Sequence, residues 1–460
     1  MTEPTRQIDA NTEGDYALDI DDVNAILEAV QAGAAGQLAA LLDQLHAADI
    51  ADLLEQISGA ERIELLHLWA GQMDGEVLSE LDEGLREEVL EHLDSKIVAE
   101  AVRDLETDDV VDLLEDMDSD QSAAVLAALD DGDRAAVEQS MSYPEDSAGR
   151  LMQRKVVVAP EHWKVGEAID FLRNRDDLPE QFYHMILVDP RYHPVGYVTL
   201  GKLMSSRRSV LMTDIVEDSF RVIPADQDEA DVAYAFNQYH LISAPVIDEN
   251  DRLVGVITID DAMSVLEDEA EEDILRLAGV GAESLSDSPL NIAWARFPWL
   301  FVNLITAILA SLVISMFEGS ISQLVALAVL MPIVASMGGN AGTQSLTVAV
   351  RALATRDLTS SNASRVVMRE ILAGLMNGGV FAVVMGIIGV LWFGTPLLGV
   401  VIGVAMIVNL GVAALAGVLV PLGLEKAGID PALASGAFVT TVTDIVGFLV
   451  FLGLATAILL

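Results

Sequence analysis

Long apolar runs in the last part of the chain constrain its fold more than any other feature. They fall at 297–317 and near 319–350, 371–393, 397–424 and 433–459. Each run is long enough to cross about 30 Å of hydrocarbon as a helix. The sequence therefore predicts a membrane region, residues 296–460, built from five transmembrane helices.

The charges divide the chain into two chemically different parts. Beyond residue 290, six acidic and six basic residues cancel, so the whole net charge of −47 lies in the first 290 residues. Such an acidic part repels nucleic-acid phosphates and attracts cations, so no nucleic-acid partner is expected. An acidic surface can also serve only to keep the protein solvated. Composition alone does not distinguish this from cation binding.

The residue types that are missing exclude several kinds of chemistry. The chain has no cysteine, which excludes disulfides, thiolate metal sites and cysteine nucleophiles. It also has no phosphate-binding glycine loop and no nucleophile–base constellation, so neither ATP-driven transport nor an enzyme is expected. Residues 1–20 are polar, lack the apolar core of a signal peptide and are expected to be a disordered tail. The acidic part is therefore expected to remain in the cytoplasm.

Two kinds of folded segment are predicted before the membrane. Residues 21–140 show the apolar spacing of helices, and the similarity of 51–55 to 111–115 predicts a superhelix of stacked hairpins. Residues 141–205 and 206–270 each contain two β-branched strands and a helix, which indicates a duplicated α/β unit. An acidic connecting helix is expected at 271–295.

Arginines indicate the orientation of the membrane region. Arg351, Arg356, Arg365 and Arg369 lie in one short connection between the second and third spans, and Arg296 precedes the first. The positive-inside rule places this connection and the acidic part in the cytoplasm, and five spans then leave the C-terminus outside. Because an odd number of helices does not easily form a symmetric pore within one chain, a homodimer is the simplest arrangement.

Asp444 is the sharpest indication of function. It lies deep in an apolar run with no basic residue nearby, and Thr440 and Gly436 lie one and two helical turns before it. A carboxylate at that depth costs several kcal/mol unless water or a cation accompanies it. Oxygen ligands with water suit a hard ion such as Mg²⁺. The alternative is a structural carboxylate bonded to a hydroxyl of a neighbouring helix.

The second predicted span carries proline and several glycines. We expect these residues to interrupt the helix, and an irregular backbone is tolerated at membrane depth only inside protein or along a wet cavity. They are therefore candidates for lining a pore, with close helix packing as the alternative. The residues are Pro332, Gly338, Gly339, Asn340 and Gly342.

Several of these segments resemble the MgtE magnesium-transporter family. The similar segments are 336–344 (SMGGNAGTQ), 351–354 (RALA), 430–432 (DPA), 443–447 (TDIVG) and 143–152 (YPEDSAGRLM). The last resembles the entry into cystathionine-β-synthase-type (CBS) domains. The resemblance implies a homodimeric Mg²⁺ channel of the plasma membrane, with Asp444 as the pore carboxylate and the residues at 436 and 440 as backbone contributors.

The resemblance also implies regulatory ions in the cytoplasmic part. Matching acidic positions are Asp228, Asp261, Glu269, Glu272 and Asp273, and Asp108, Asp109 and Asp112 are further candidates in the helical domain. Two positions depart from the family pattern, Ser264 and His240, where aspartates are common. Thr258 with Asp261 fits the strand-end pair that meets a nucleotide ribose in CBS domains, so ATP is a possible regulatory ligand.

The resulting hypothesis is gated, passive Mg²⁺ influx. Clustered carboxylates on adjoining domains repel one another, and a bridging divalent ion would favour the compact state. Two alternatives stay open: transport of another divalent ion such as Co²⁺ or coupling to Na⁺ or H⁺, and a membrane-anchored CBS sensor that does not conduct.

Overall fold

The computed structural model describes residues 18–103, 105–175, 178–179, 182–217, 220–280, 289–432 and 435–460. Except for residues 18–20, the predicted tail lies outside the described residues. The chain divides into two compact units, the first extending to Glu269 and the second beginning at Ala270.

The first unit begins with short helices, as the apolar spacing predicts. These are α1 (Ile20–Gln31), α2 (Ala35–Leu42), α3 (Ala47–Gln56), α4 (Gly59–Trp69), α5 (Gly75–Ser79), α6 (Glu83–His92), α7 (Ser95–Ala101), α8 (Thr107–Glu115), α9 (Ser119–Ala128) and α10 (Asp131–Ser140), with a 3₁₀ turn at Ala70–Gln72. One side of most helices enters a common core, where Leu38, Leu53, Leu78 and Leu113 are fully buried. The packing is hydrophobic and all-helical.

Many of the acidic side chains have a structural role at helix N-termini. A carboxylate accepts hydrogen bonds from amides that have no partner in the first turn, and it also interacts favourably with the helix dipole. The aspartates that cap helices in this way are Asp19, Asp74, Asp94, Asp118 and Asp130. Part of the negative charge therefore stabilises local structure.

Replacing Asp118 by alanine is expected to loosen α9. Asp118 Oδ1 accepts from the amides of Asp120 and Gln121, both at 2.8 Å. Loss of such a cap costs about 1 kcal/mol, which corresponds to about fivefold faster hydrogen exchange of amides that open with the helix. Exchange measured by mass spectrometry on the full-length protein checks this, with the exposed Asp52→Ala in α3 as control. Equal exchange in the two variants would contradict the capping role.

Two α/β repeats with the same strand order follow the helices. The first contains β1 (Val158–Pro160), α11 (Val165–Arg173), β2 (His184–Val188), β3 (Pro194–Thr199) and α12 (Leu200–Ser205); the second contains β4 (Ile223–Pro224), α13 (Glu229–Tyr239), β5 (Ser243–Ile247), β6 (Leu253–Thr258) and α14 (Ile259–Ala278), and a 3₁₀ turn spans Met212–Ile215. In each sheet the first two strands are parallel and the last two antiparallel. His184 pairs with Thr199, and Ser243 pairs with Thr258 at the equivalent positions. The predicted duplication is confirmed.

The second unit contains the predicted membrane helices. They are α15 (Pro289–Ser315), α17 (Ala326–Ala354), α18 (Ala363–Phe393), α19 (Pro396–Lys426) and α20 (Ser435–Leu459), with the short α16 (Glu318–Gln323) between the first two. Among the described residues, five helices are long and apolar enough to cross a membrane, which confirms the prediction. Of these, α19 is the most buried within the chain, and α17, α18 and α20 pack around it.

The expected interruption of the second span is wrong. Helix α17 is continuous from Ala326 to Ala354, with Pro332 inside it. Proline removes one backbone donor but fits a membrane helix where neighbouring groups re-satisfy the backbone. The glycines allow close packing: a methyl group at Gly338 would overlap Asn409 of α19, and one at Gly342 would overlap Val439 of α20.

Candidate ion site and carboxylate clusters

The candidate ion site lies on one face of α20. Gly436, Thr440 and Asp444 are four residues apart on this continuous helix, so they follow one another along about 12 Å of its length. Asp444 is half-buried. Its carboxylate makes no hydrogen bond or ion pair with any part of the chain that the structure describes.

The threonine hydroxyls near Asp444 are bonded to their own helix. Thr440 donates to the Gly436 carbonyl at 2.9 Å, Thr441 to Ala437 at 2.6 Å and Thr443 to Thr440 at 2.9 Å. These hydroxyls therefore do not satisfy Asp444. Within the described residues, the structural alternative of a carboxylate held by a neighbouring helix's hydroxyl has no supporting contact.

Asn409, which sequence reasoning missed, holds the helix bearing Asp444 against α17. Its fully buried side chain lies against both Gly338 of α17 and Gly447 of α20. The side-chain amide donates to the Val334 carbonyl at 2.8 Å. An asparagine within an apolar span was the available signal, because polar side chains in membrane helices commonly bond across helix contacts.

The other predicted pore residues have different environments. Gly338 and Gly342 are buried between helices, Gly339 lies beside the Thr440 side chain, and Pro332 and Asn340 are exposed on this chain. Pro332 and Asn340 are therefore not buried between helices of the same chain. The buried pair contributes to close contact with α19 and α20.

In the first unit, Asp108 is an unusual buried acid. It is only 7% exposed, and neither carboxylate oxygen has a hydrogen-bond partner in the part of the chain that the structure describes. Burial raises its pKa well above the usual value, and the nearby charges of Asp261, Asp109 and Glu106 raise it further. The fold therefore places a carboxylate where its charge is poorly compensated.

Asp109 and Asp261 belong to the same electrostatic cluster. Burial, followed by Glu106 and Asp112, raises the pKa of Asp109 to about 6. Burial raises the pKa of Asp261 to about 7 despite two hydrogen bonds from Thr258, whose hydroxyl donates at 2.6 Å and amide at 3.2 Å. We call Asp108, Asp109 and Asp261 the buried carboxylate cluster.

Asp112 has a different environment from the other candidates on α8. It forms an ion pair with the buried Arg86, which also pairs with Asp116 at 2.5 Å. A cation at Asp112 would therefore have to compete with this guanidinium.

A second acidic group surrounds Glu229, which the sequence analysis also missed. Burial raises the pKa of Glu229 to about 7, with further contributions from Asp146, Asp228, Glu115 and Glu269. Asp228 itself caps α13 by accepting from the Asp231 amide at 3.4 Å. The signal available in the sequence was the acidic run at the start of α13, but its burial depends on packing.

The end of α14 bears the remaining candidates. Glu272 pairs with Arg276, which also pairs with Asp430 at 2.5 Å. Burial, with the charge of Asp430, raises the pKa of Asp273. Arg276 thus neutralises part of the negative charge that Glu272, Asp273 and Asp430 bring to the end of α14.

The pair proposed for a nucleotide does not line a cavity found in the second α/β repeat. That cavity, of about 440 Å³, includes Arg221, Gln227 and Tyr239 in its lining but neither Thr258 nor Asp261. The Arg221 guanidinium stacks on the Tyr239 ring with its carbon 3.5 Å from the centroid.

Within the described ranges, no three His, Asp or Glu side chains converge as ready-made metal ligands. A hydrated Mg²⁺ keeps most of its waters and needs only one or two carboxylates, so the donor set of acidic oxygens fits it.

Models of known families match most of the chain. The MgtE family, described as divalent cation transporters, matches residues 331–454, and the MgtE intracellular N domain matches 45–146. The CBS domain matches 148–209 and 210–268.

Curated relatives and solved structures extend this similarity. The magnesium transporter MgtE of Enterococcus faecalis is 36% identical over 320 residues, covering 70% of this chain and 71% of that protein. The one from Thermus thermophilus is 35% identical over 327 residues, covering 70% and 72%. A crystal structure of the cytosolic domain of the Mg²⁺ channel MgtE in complex with ATP has a TM-score of 0.49 and 30% identity, covering 53% of this chain and 99% of that one.

Proposed function

Because the chain belongs to the MgtE family of magnesium transporters, we propose that it is a Mg²⁺-selective channel of the plasma membrane, which Mg²⁺ bound to its cytoplasmic carboxylates closes. The half-buried Asp444 carboxylate on a membrane helix, which has no partner among the described residues, carries this proposal. A charge at that depth is costly without water or a cation, so its presence is explained by an ion pathway.

The chemistry at Asp444 suits a hydrated hard cation. One carboxylate and the backbone oxygens of Gly436 and Thr440 offer only oxygen ligands, and Mg²⁺ gives up its hydration water reluctantly. Both carbonyls already accept a threonine hydroxyl, which fixes their surroundings but leaves them able to face ordered water. A second copy would complete the wall of the conduit in a homodimer.

The buried carboxylate cluster supports gating by Mg²⁺. Asp108 has no hydrogen-bonding partner among the described residues, Asp261 and Asp109 raise its pKa, and Asp109 also raises the pKa of Asp261. A divalent ion would offset this repulsion and stabilise the compact arrangement of helices and CBS repeats. A ligand shifts a conformational equilibrium only through such differential binding. Glu269, Glu272 and Asp273 would add further sites along α14.

Topology and nucleotide binding complete the proposal. By the positive-inside rule, the arginine-rich connection between α17 and α18 supports a cytoplasmic acidic part and a C-terminus outside. ATP bound at Thr258 and Asp261 is a separate proposal for regulation. The hydrogen bond between these two side chains would have to rearrange before a ribose could bind there.

Uptake into proteoliposomes tests the proposed function. Purified protein should admit Mg²⁺ down its gradient without ATP and without a Na⁺ or H⁺ gradient. Co²⁺ in place of Mg²⁺, and imposed Na⁺ or H⁺ gradients, separate the alternative transporters. A protein that binds Mg²⁺ but admits none would instead be the non-conducting sensor.

Lowering the pH should weaken the stabilisation that Mg²⁺ gives. The raised pKa values, about 6 for Asp109 and about 7 for Asp261, mean that protonation stabilises the folded state. That contribution is complete below the unfolded value of about 4 and is lost as pH rises through about 6 to 7. Mg²⁺ binds ionised carboxylates, so the stabilisation that it gives should be greatest at a pH where Asp109 and Asp261 are deprotonated.

Thermal unfolding of the full-length protein, followed by intrinsic fluorescence, measures this dependence. The rise in Tm on adding MgCl₂ should be largest near pH 8 and shrink towards pH 5, with NaCl at matched ionic strength as control. An equal rise across this pH range would show that Mg²⁺ acts elsewhere.

A further inference from the structure

A cavity of about 380 Å³ lies beside the connection between α17 and α18. Val348, Ala349 and Ala352 of α17 and Val366 of α18 form an apolar part of its lining. Arg365 and Arg369 contribute positive charge to the same cavity. The combination of an apolar wall and guanidinium groups is separate from the ion site on α20.

The two arginines differ from the acid beside them in exposure. Glu370 is 17% exposed at its side chain and accepts from the Ser345 hydroxyl at 3.1 Å. Arg369 is 67% exposed and lies 3.5 Å from Glu370, a long ion pair. The Arg365 side chain is exposed and has no hydrogen bond or ion pair with the described residues. Guanidinium groups therefore remain available to an anion.

The connection beside the cavity is rich in arginine, although the lining itself carries two acids, Asp357 and Glu370, as well as Arg365 and Arg369. Four of the six basic residues beyond residue 290 fall in the stretch 351–369, against one acid, Asp357, which also lines the cavity and accepts from the Thr355 hydroxyl at 2.9 Å. Because this stretch joins two membrane helices, it lies where lipid headgroups meet water. Basic pockets between helices at this level suit phospholipid head groups.

We infer that this cavity binds the phosphate of an anionic phospholipid headgroup. Arg365 and Arg369 would contact the phosphate, since guanidinium matches phosphate oxygens with paired hydrogen bonds. The glycerol and upper acyl carbons would lie along the apolar wall of α17. The volume falls in the usual range of small-molecule sites.

Native mass spectrometry of the full-length protein, released from nanodiscs, tests this inference. With phosphatidylglycerol in the bilayer, lipid should stay bound to the wild type, whereas with phosphatidylcholine it should not. The double variant Arg365→Gln/Arg369→Gln should lower retention by about thirtyfold, as expected for losing two arginine contacts. The charge-matched Arg351→Gln/Arg356→Gln, outside the lining, should retain lipid like the wild type.

Ala352→Phe provides a second variant that fills the cavity without changing charge. It should also lose bound phosphatidylglycerol, and size-exclusion elution checks that each variant remains folded. Equal loss in both double variants would show only a general attraction to the arginines and overturn the site. Unchanged retention in Arg365→Gln/Arg369→Gln, or complete displacement by inorganic phosphate, would equally rule out a lipid site.

Discussion

Asp444→Ala is expected to abolish Mg²⁺ flux in proteoliposomes. The variant removes the Asp444 carboxylate from α20 and leaves the threonine–backbone bonds of that helix in place. A cation at membrane depth is several kcal/mol less stable without a compensating negative charge. Each 1.4 kcal/mol of lost stabilisation lowers the occupancy of the site by the cation about tenfold. Flux should therefore fall to the level of empty liposomes, measured with a Mg²⁺-sensitive dye inside the vesicles.

Three further variants separate charge from packing. Asp444→Asn keeps the size and should be as inactive as alanine, whereas Asp444→Glu keeps the charge and should retain part of the flux. Glu318→Gln removes an exposed charge at the start of α16 and should leave flux near wild type. An active Asp444→Asn would show that the charge is not required for conduction.

Asp108→Asn is expected to make flux resist closure by cytoplasmic Mg²⁺. The substitution removes one carboxylate from the buried carboxylate cluster, while Asp109 still repels both Glu106 and Asp261. A coupling of about 1–3 kcal/mol between ion and conformation corresponds to a shift of about 5- to 150-fold in the closing concentration. Flux should therefore persist at Mg²⁺ levels that close the wild type.

The control for this variant is Asp52→Asn, which removes an exposed charge from α3 of the same helical domain. It should close at the wild-type Mg²⁺ concentration. Both variants should show the wild-type maximal flux at low cytoplasmic Mg²⁺, because neither residue lies in the membrane helices. Normal closure in Asp108→Asn would remove this cluster from the gating mechanism.

The sequence predicted the large-scale architecture because that architecture depends on local patterns. Apolar run length predicts membrane helices, and the repeated strand pairs predict the duplicated α/β unit. The continuity of α17 was not predicted, because the sequence contains Pro332 but not the neighbouring helices that make a proline tolerable there.

The environments of individual acids could be predicted less well than their positions. Burial of Asp108 and Glu229, and the pairing of Asp112 with Arg86, depend on contacts between helices far apart in the chain. Composition makes all these acids look alike, whereas the fold makes some of them caps, some ion-pair partners and a few poorly compensated charges. Asn409 was missed for the same reason.

Cysteine accessibility along α20 tests most directly whether its Asp444 face borders an ion-conducting passage. The chain contains no cysteine, so Thr440→Cys and Phe438→Cys each introduce a single thiol, the second on the opposite, exposed side of the helix. In proteoliposomes a charged, membrane-impermeant thiol reagent should modify Thr440→Cys, Mg²⁺ should slow that reaction, and Phe438→Cys should stay unmodified. An unreactive Thr440→Cys, or a reaction that Mg²⁺ does not slow, would contradict a cation passage at Asp444.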